Sequence, residues 1–143
     1  MAVIEGRTWL EIIPPAGCER HLRQETVGRI GVTVDGHPEI FPINFAVDED
    51  GAIVFRTDLG TKLAALVNNA TVAFEVDGFD DEHHTGWSVL VVGRAQWLNS
   101  PDELAAARQL ELEPWAVGEK ANYVRISPTK VSGRLIHLAR KER

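Results

Sequence analysis

The chain has 143 residues, 44% of them hydrophobic and 25% charged, with a formal net charge of −6 at pH 7. That length suits one domain, residues 1–143, able to bury about two-thirds of its unfolded surface. No apolar run approaches the ~20 residues of a membrane span, and the acidic balance argues against a general nucleic-acid surface, which needs a basic stripe. The first residues include Glu5 and Glu11 without a long apolar run, so they do not read as a secretion signal. A single cysteine, Cys18, excludes an intrachain disulfide and fits a reducing, cytoplasmic setting. It stands beside Glu19 in a polar segment, where a negative neighbour raises a thiol pKa, so no nucleophilic role is read for it.

Residues 14–26, PPAGCERHLRQET, spell a short polar helix with proline at its start. A strand follows over about Gly28–Val34, and Asp35-Gly36 is a two-residue hairpin turn. The next strand, about Pro38–Val47, alternates. Phe41, Ile43, Phe45 and Val47 share one face, and Pro42, Asn44 and Ala46 the other. Asp48-Glu49-Asp50-Gly51 turns into Ile53-Val54-Phe55, a buried strand closed by Arg56 and Thr57. After Asp58-Leu59-Gly60, helical spacing puts Leu63, Leu66 and Val67 on one face of a helix over about 61–68. Asn68-Asn69 stops it, and Thr71–Val76 is a strand.

Asp77–Thr85 reads as an acidic, flexible loop, and Trp87–Leu98 as a long strand with Gly93 as a bulge or close-approach point. Ser100-Pro101-Asp102-Glu103 is a capping box opening a helix to about Leu112. Two strands, about Tyr123–Ser127 and Val131–Leu138, complete the pattern. Short antiparallel strands with few helices predict a mainly β (β+α) fold, a barrel with flanking helices. Strands 37–47 and 87–98 are apolar on both faces, more than one small barrel's interior absorbs.

The chemistry concentrates around Arg56–Leu66, RTDLGTKLAAL. Lys62 falls in the first turn of the helix, beside unpaired backbone N–H groups and the positive end of the dipole. A cation there wants a compensating anion. Strand, Arg-Thr, glycine turn, Thr-Lys and helix together can hold a phosphate; the alternative is a solvated surface pair with Asp58. Trp87 starts a strong strand after the acidic loop, and Asn44 sits opposite four large apolar residues. Each also has a plain structural account, Trp87 capping the barrel core and Asn44 facing water. His83-His84 lies in an acidic loop, and no metal-ligand spacing such as Cys-x-x-Cys occurs.

Five segments in order carry a resemblance: PINF (Pro42–Phe45), VFRTDLGTKL (Val54–Leu63), VAFEVD (Val72–Asp77), GWSVLVVGRA (Gly86–Ala95) and SGRLI (Ser132–Ile136). Together they resemble the pyridoxamine 5′-phosphate oxidase-like family, FMN-binding split β-barrels, in its short actinobacterial-type form. The resemblance spans about residues 20–138. It implies an antiparallel split barrel of six to seven strands and a homodimer with FMN in the groove between two barrels. It further implies that Arg56 and Lys62 pair the cofactor phosphate and that Thr57 and Thr61 donate hydroxyl bonds to it. The backbone of Pro42, Ile43 and Asn44 would run beside the isoalloxazine ring. Trp87 and Ser88 would approach from the partner subunit.

Trp115 either closes over the same groove or packs in the core. Family members that oxidise pyridoxamine phosphate are longer and carry C-terminal arginine and histidine contacts, so that activity is not expected here. His137 reads as an outward-facing or hydrogen-bonded strand residue.

No catalytic triad appears, consistent with a cofactor that carries the redox chemistry. The expected activity is an FMN-dependent oxidoreductase passing hydride or electrons from a reduced nicotinamide or similar donor to a small acceptor. One alternative keeps the fold and binds the deazaflavin F420, whose longer anionic tail needs a wider basic groove; Arg94 and Lys120 are candidates for it. A second is a non-enzymatic flavin- or haem-binding sensor. For haem the visible axial candidates are His83 and His84, adjacent histidines that point apart.

Overall fold

The computed structural model describes residues 4–5, 10–57, 67–110, 112 and 122–137. They form β1 (Ile4–Glu5), β2 (Leu10–Ile13), α1 (Pro15–Gln24), β3 (Val27–Val34), β4 (His37–Val47) and β5 (Ile53–Thr57). Then come β6 (Thr71–Asp80), β7 (Thr85–Trp97), α2 (Pro101–Arg108) and β8 (Asn122–Ile136). The strands pair antiparallel in the order β1-β2-β8-β5-β4-β3-β6-β7, and β7 pairs again with β8. That last pairing closes six strands, β8-β5-β4-β3-β6-β7, into a ring, with β2 and β1 continuing outward from β8. The family-type barrel is the fold observed.

Local chemistry explains most of the corners. Asp35 and Gly36 both hold positive φ, 48° and 83°, as the two-residue hairpin between β3 and β4 requires. Asp48 Oδ1 accepts from the backbone N–H groups of Asp50 and Ala52, each at 2.9 Å, fixing the β4–β5 turn. Arg125 ties that turn to β8, its Nε donating to Asp48 Oδ2 at 2.7 Å. At α2 the predicted cap is present: Ser100 Oγ accepts from Glu103 N–H at 3.2 Å.

Alternation sends Ile30, Phe45, Ile53, Phe55, Phe74, Val89, Val91 and Ile126 into the barrel, all buried. Phe45 and Phe74 meet edge to face with centroids 4.7 Å apart. Helix α1 plugs one end of the barrel through Cys18 and Leu22. Outside it, Val54, Tyr123, Leu98 and Ala107 form a second cluster under α2. No helix among the described residues is long and apolar enough to cross a membrane.

Four expectations are corrected. Asp77–Thr85 is not a loop: β6 runs to Asp80 and β7 starts at Thr85, because Gly78 and Phe79 pair with Trp87 and Gly86. The last two strands are one. Pro128 falls opposite Gly93 at a register shift, where a missing N–H disrupts least, and Thr129 Oγ1 bonds the Val92 carbonyl at 3.0 Å. Helix α2 stops at Arg108, before Leu112. Cys18 is not in a polar setting but 1% exposed, and burial raises its pKa. The short strands β1 and β2 were not foreseen. Residues 58–66, with the predicted turn and most of its helix, lie outside the described residues, as does Trp115.

Candidate functional site

The outer face of β4 and β5 collects the first group of predicted residues. With Phe45 and Phe55 facing inward, Pro42, Asn44 and Ala46 on β4 and Val54 and Arg56 on β5 face outward. The β4–β5 ladder ends at Phe45↔Phe55, so the next step sets Asn44 beside Arg56. Arg56 pairs across to Tyr123 on β8, and its guanidinium carbon stands 5.2 Å from that ring's centroid. Asn44 Nδ2 donates to the Thr26 carbonyl at 3.4 Å.

The ladder's short length matters. Only Phe45, Ala46 and Val47 of β4 pair with β5, so the β5-side edge from His37 to Ile43 meets no strand among the described residues. In phase with Asp48, which bonds Ala52, that edge carries both main-chain groups of Ile40 and the carbonyl of Pro42, which has no N–H. Ile43, in phase with Phe45, turns its main chain to β3, and its side chain packs on the core. Thr57 is 4% exposed and on the opposite face of β5 from Arg56. Thr61 and Lys62 lie outside the described residues.

Trp87 and Ser88 sit elsewhere on the same barrel. Ser88 pairs with Asp77 on β6, and Val27 of β3 pairs with Asn44. Ser88 and Asn44 are thus three strands apart in a ring of six, on opposite sides, with outer faces directed away from each other. Trp87, on the inner face, packs against the core as the plain reading had it. Its ring stacks on His21 of α1 with centroids 3.9 Å apart and planes 21° apart. One protomer therefore does not bring the two groups of predicted residues together.

Sequence reasoning missed the charge cluster next to Ser88. Arg29 Nη1 donates to Glu75 Oε1 at 3.2 Å and to Asp77 Oδ2 at 3.0 Å. Burial, then a hydrogen bond and like charge from Asp77, push the Glu75 carboxyl up to about 7, against the pull of Arg29. Strand parity could have signalled the pair, had Asp77 not been assigned to a loop. Around the cluster the outer face of β6, β7, β8 and β2 exposes Phe79, Leu90, Ile136 and Ile12, Phe79 by 67%.

Two more histidines stand close to carboxylates. His83 Nδ1 is 2.7 Å from Asp80 Oδ2, and His137 Nε2 is 2.9 Å from Glu11 Oε1. Among the described residues no group of three or more His, Cys, Asp or Glu could hold a metal ion.

The closed barrel, with Asn44 and Arg56 neighbouring on its outer face, defines a split-barrel protein. The chain belongs to the pyridoxamine 5′-phosphate oxidase family, whose sequence model matches residues 14–135. It is similar to the uncharacterized protein Rv0080 of Mycobacterium tuberculosis, 35% identical over 111 residues, which are 74% of this chain and 72% of that protein. Among solved structures it is similar to the FAD binding protein from Mycobacterium smegmatis, at 39% identity and a TM-score of 0.78, covering 90% of this chain and 99% of that one. A candidate pyridoxamine 5′-phosphate oxidase from Corynebacterium glutamicum is 38% identical with a TM-score of 0.80, covering 92% of this chain and 96% of that one.

Proposed function

We propose that the protein binds a flavin nucleotide on the outer face of β4 and β5 and acts as a flavin-dependent oxidoreductase on a small acceptor. The observation that carries this is the juxtaposition of Arg56 with Asn44 on the outer face where the β4–β5 ladder ends. An isoalloxazine ring presents donors and acceptors along one side, which the main chain of Ile40 and the Pro42 carbonyl on the β5-side edge of β4 can meet. Its phosphate then falls toward Arg56 and the residues that follow it, Lys62 among them in the sequence. Such a cofactor, when bound, supplies hydride or single-electron chemistry; the protein's part is position and exclusion of water.

FMN is the unit proposed. The FAD binding protein from M. smegmatis makes FAD, which contains FMN, an equal candidate. Ser88 faces outward on the opposite side of the barrel from Asn44, so it reaches the same flavin only from a second copy of the chain, while Trp87 beside it faces inward. The exposed Phe79, Leu90, Ile136 and Ile12 around Ser88 supply apolar area for that homodimer.

The test replaces both Arg56 and Lys62 by alanine and titrates FMN, FAD and F420 into wild type and variant. Wild type is expected to bind FMN or FAD, with affinity lost in the double variant and its far-ultraviolet circular dichroism retained. Equal flavin affinity in the two proteins refutes the site; preference for F420 refutes the cofactor. Sedimentation showing only monomer at micromolar concentration refutes the shared arrangement.

A further inference from the structure

Between α1 and the β2–β8 edge lies a cavity of about 320 Å³, lined by Glu11, Ile12, Ile13, Pro14, Ala16, Gly17, Arg20, His21 and Leu135. Its chemistry is asymmetric. Ile13 and Leu135 make one wall apolar. Arg20 and His21 make the other cationic or polar, and no hydrogen bond or ion pair engages either side chain among the described residues. His21 is fixed in place by its stack on Trp87. The single carboxylate of the lining, Glu11, has His137 at 2.9 Å.

We propose that this cavity binds a small organic carboxylate with an apolar body. The guanidinium fork of Arg20 and a ring nitrogen of His21 take the carboxylate, and Ile13 and Leu135 cover the body. A monoanion fits better than a phosphate, because the Glu11 carboxylate in the same lining repels a dianion more strongly.

The probe is benzoate, with inorganic phosphate as the second arm, titrated calorimetrically into the full chain. Wild type, Arg20→Gln and Arg20→Lys are compared, and flavin affinity is measured in the same preparations. Saturable benzoate binding is expected, weakened about tenfold or more in Arg20→Gln and partly restored in Arg20→Lys, with flavin affinity equal in all three. Arg20 is exposed on α1, so neither change threatens the fold. No saturable benzoate binding, or equal binding by Arg20→Gln, overturns the site. Tighter binding of phosphate than of benzoate overturns the ligand class.

Discussion

Replacing Glu75 by glutamine tests the electrostatics of the β6 outer face directly. In the folded chain the Glu75 carboxyl titrates at about 7 instead of 4.5. The folded state thus holds its proton more tightly than the unfolded chain does. Stability from this group is intact below pH 4.5 and falls as pH rises through 7, the reverse of a salt-bridged carboxylate. The full shift corresponds to a ceiling of about 3.4 kcal/mol at 1.36 kcal/mol per pH unit. The side chain is 32% exposed, so solvent screening brings the expected effect down to about 1–2 kcal/mol.

Glutamine keeps a donor for Asp77 and an acceptor for Arg29 but cannot ionise. Urea unfolding of both proteins at pH 5.0 and 8.0, at one protein concentration, isolates the group, since other titrations cancel in the difference. The variant should gain about 1–2 kcal/mol on wild type between the two pH values, in the direction of greater stability at pH 8.0. A pH-independent difference, or one of opposite sign, refutes the assignment of a neutral-range proton to this pair.

Gly93→Ala should destabilise the barrel by about 2–3 kcal/mol, because an added Cβ would run into the Ser127 carbonyl oxygen, backbone that cannot swing aside. A midpoint within error of wild type in urea counts against the close approach of β7 and β8 there. Cys18 should resist thiol reagents in the native protein and react at once in denaturant, its thiol being buried and its pKa raised. Rapid native-state labelling at pH 7 contradicts that environment.

What was legible in the sequence was local. The period-two run Phe41–Val47, the Asp35-Gly36 turn and the Ser100 cap each depend on residues within a few positions, and each stands where the pattern put it. What was not legible depends on neighbours distant in sequence. The extension of β6 to Asp80 follows from Gly78 and Gly86, whose missing side chains leave room for the rings of Trp87 and Phe79. Pro128 reads as a break until Gly93 is seen opposite it.

The same limit applies to the site. Arg56 and Asn44 become neighbours through an antiparallel turn a few residues away, so motif order sufficed. The stack of His21 on Trp87 joins a helix near one end of the chain to a strand in its second half, and no spacing announces it.

Strand β8 supplies one edge to β7 and divides the other between β5 and β2. During synthesis β5, β4, β3, β6 and β7 all leave the ribosome before the strand that closes them. Until β8 follows, β5 and β7 both lack the neighbour that it supplies. The long-range pairings of β8 make closure a late, slow event for the nascent chain. The interval before it is when misassembly with other chains is most probable.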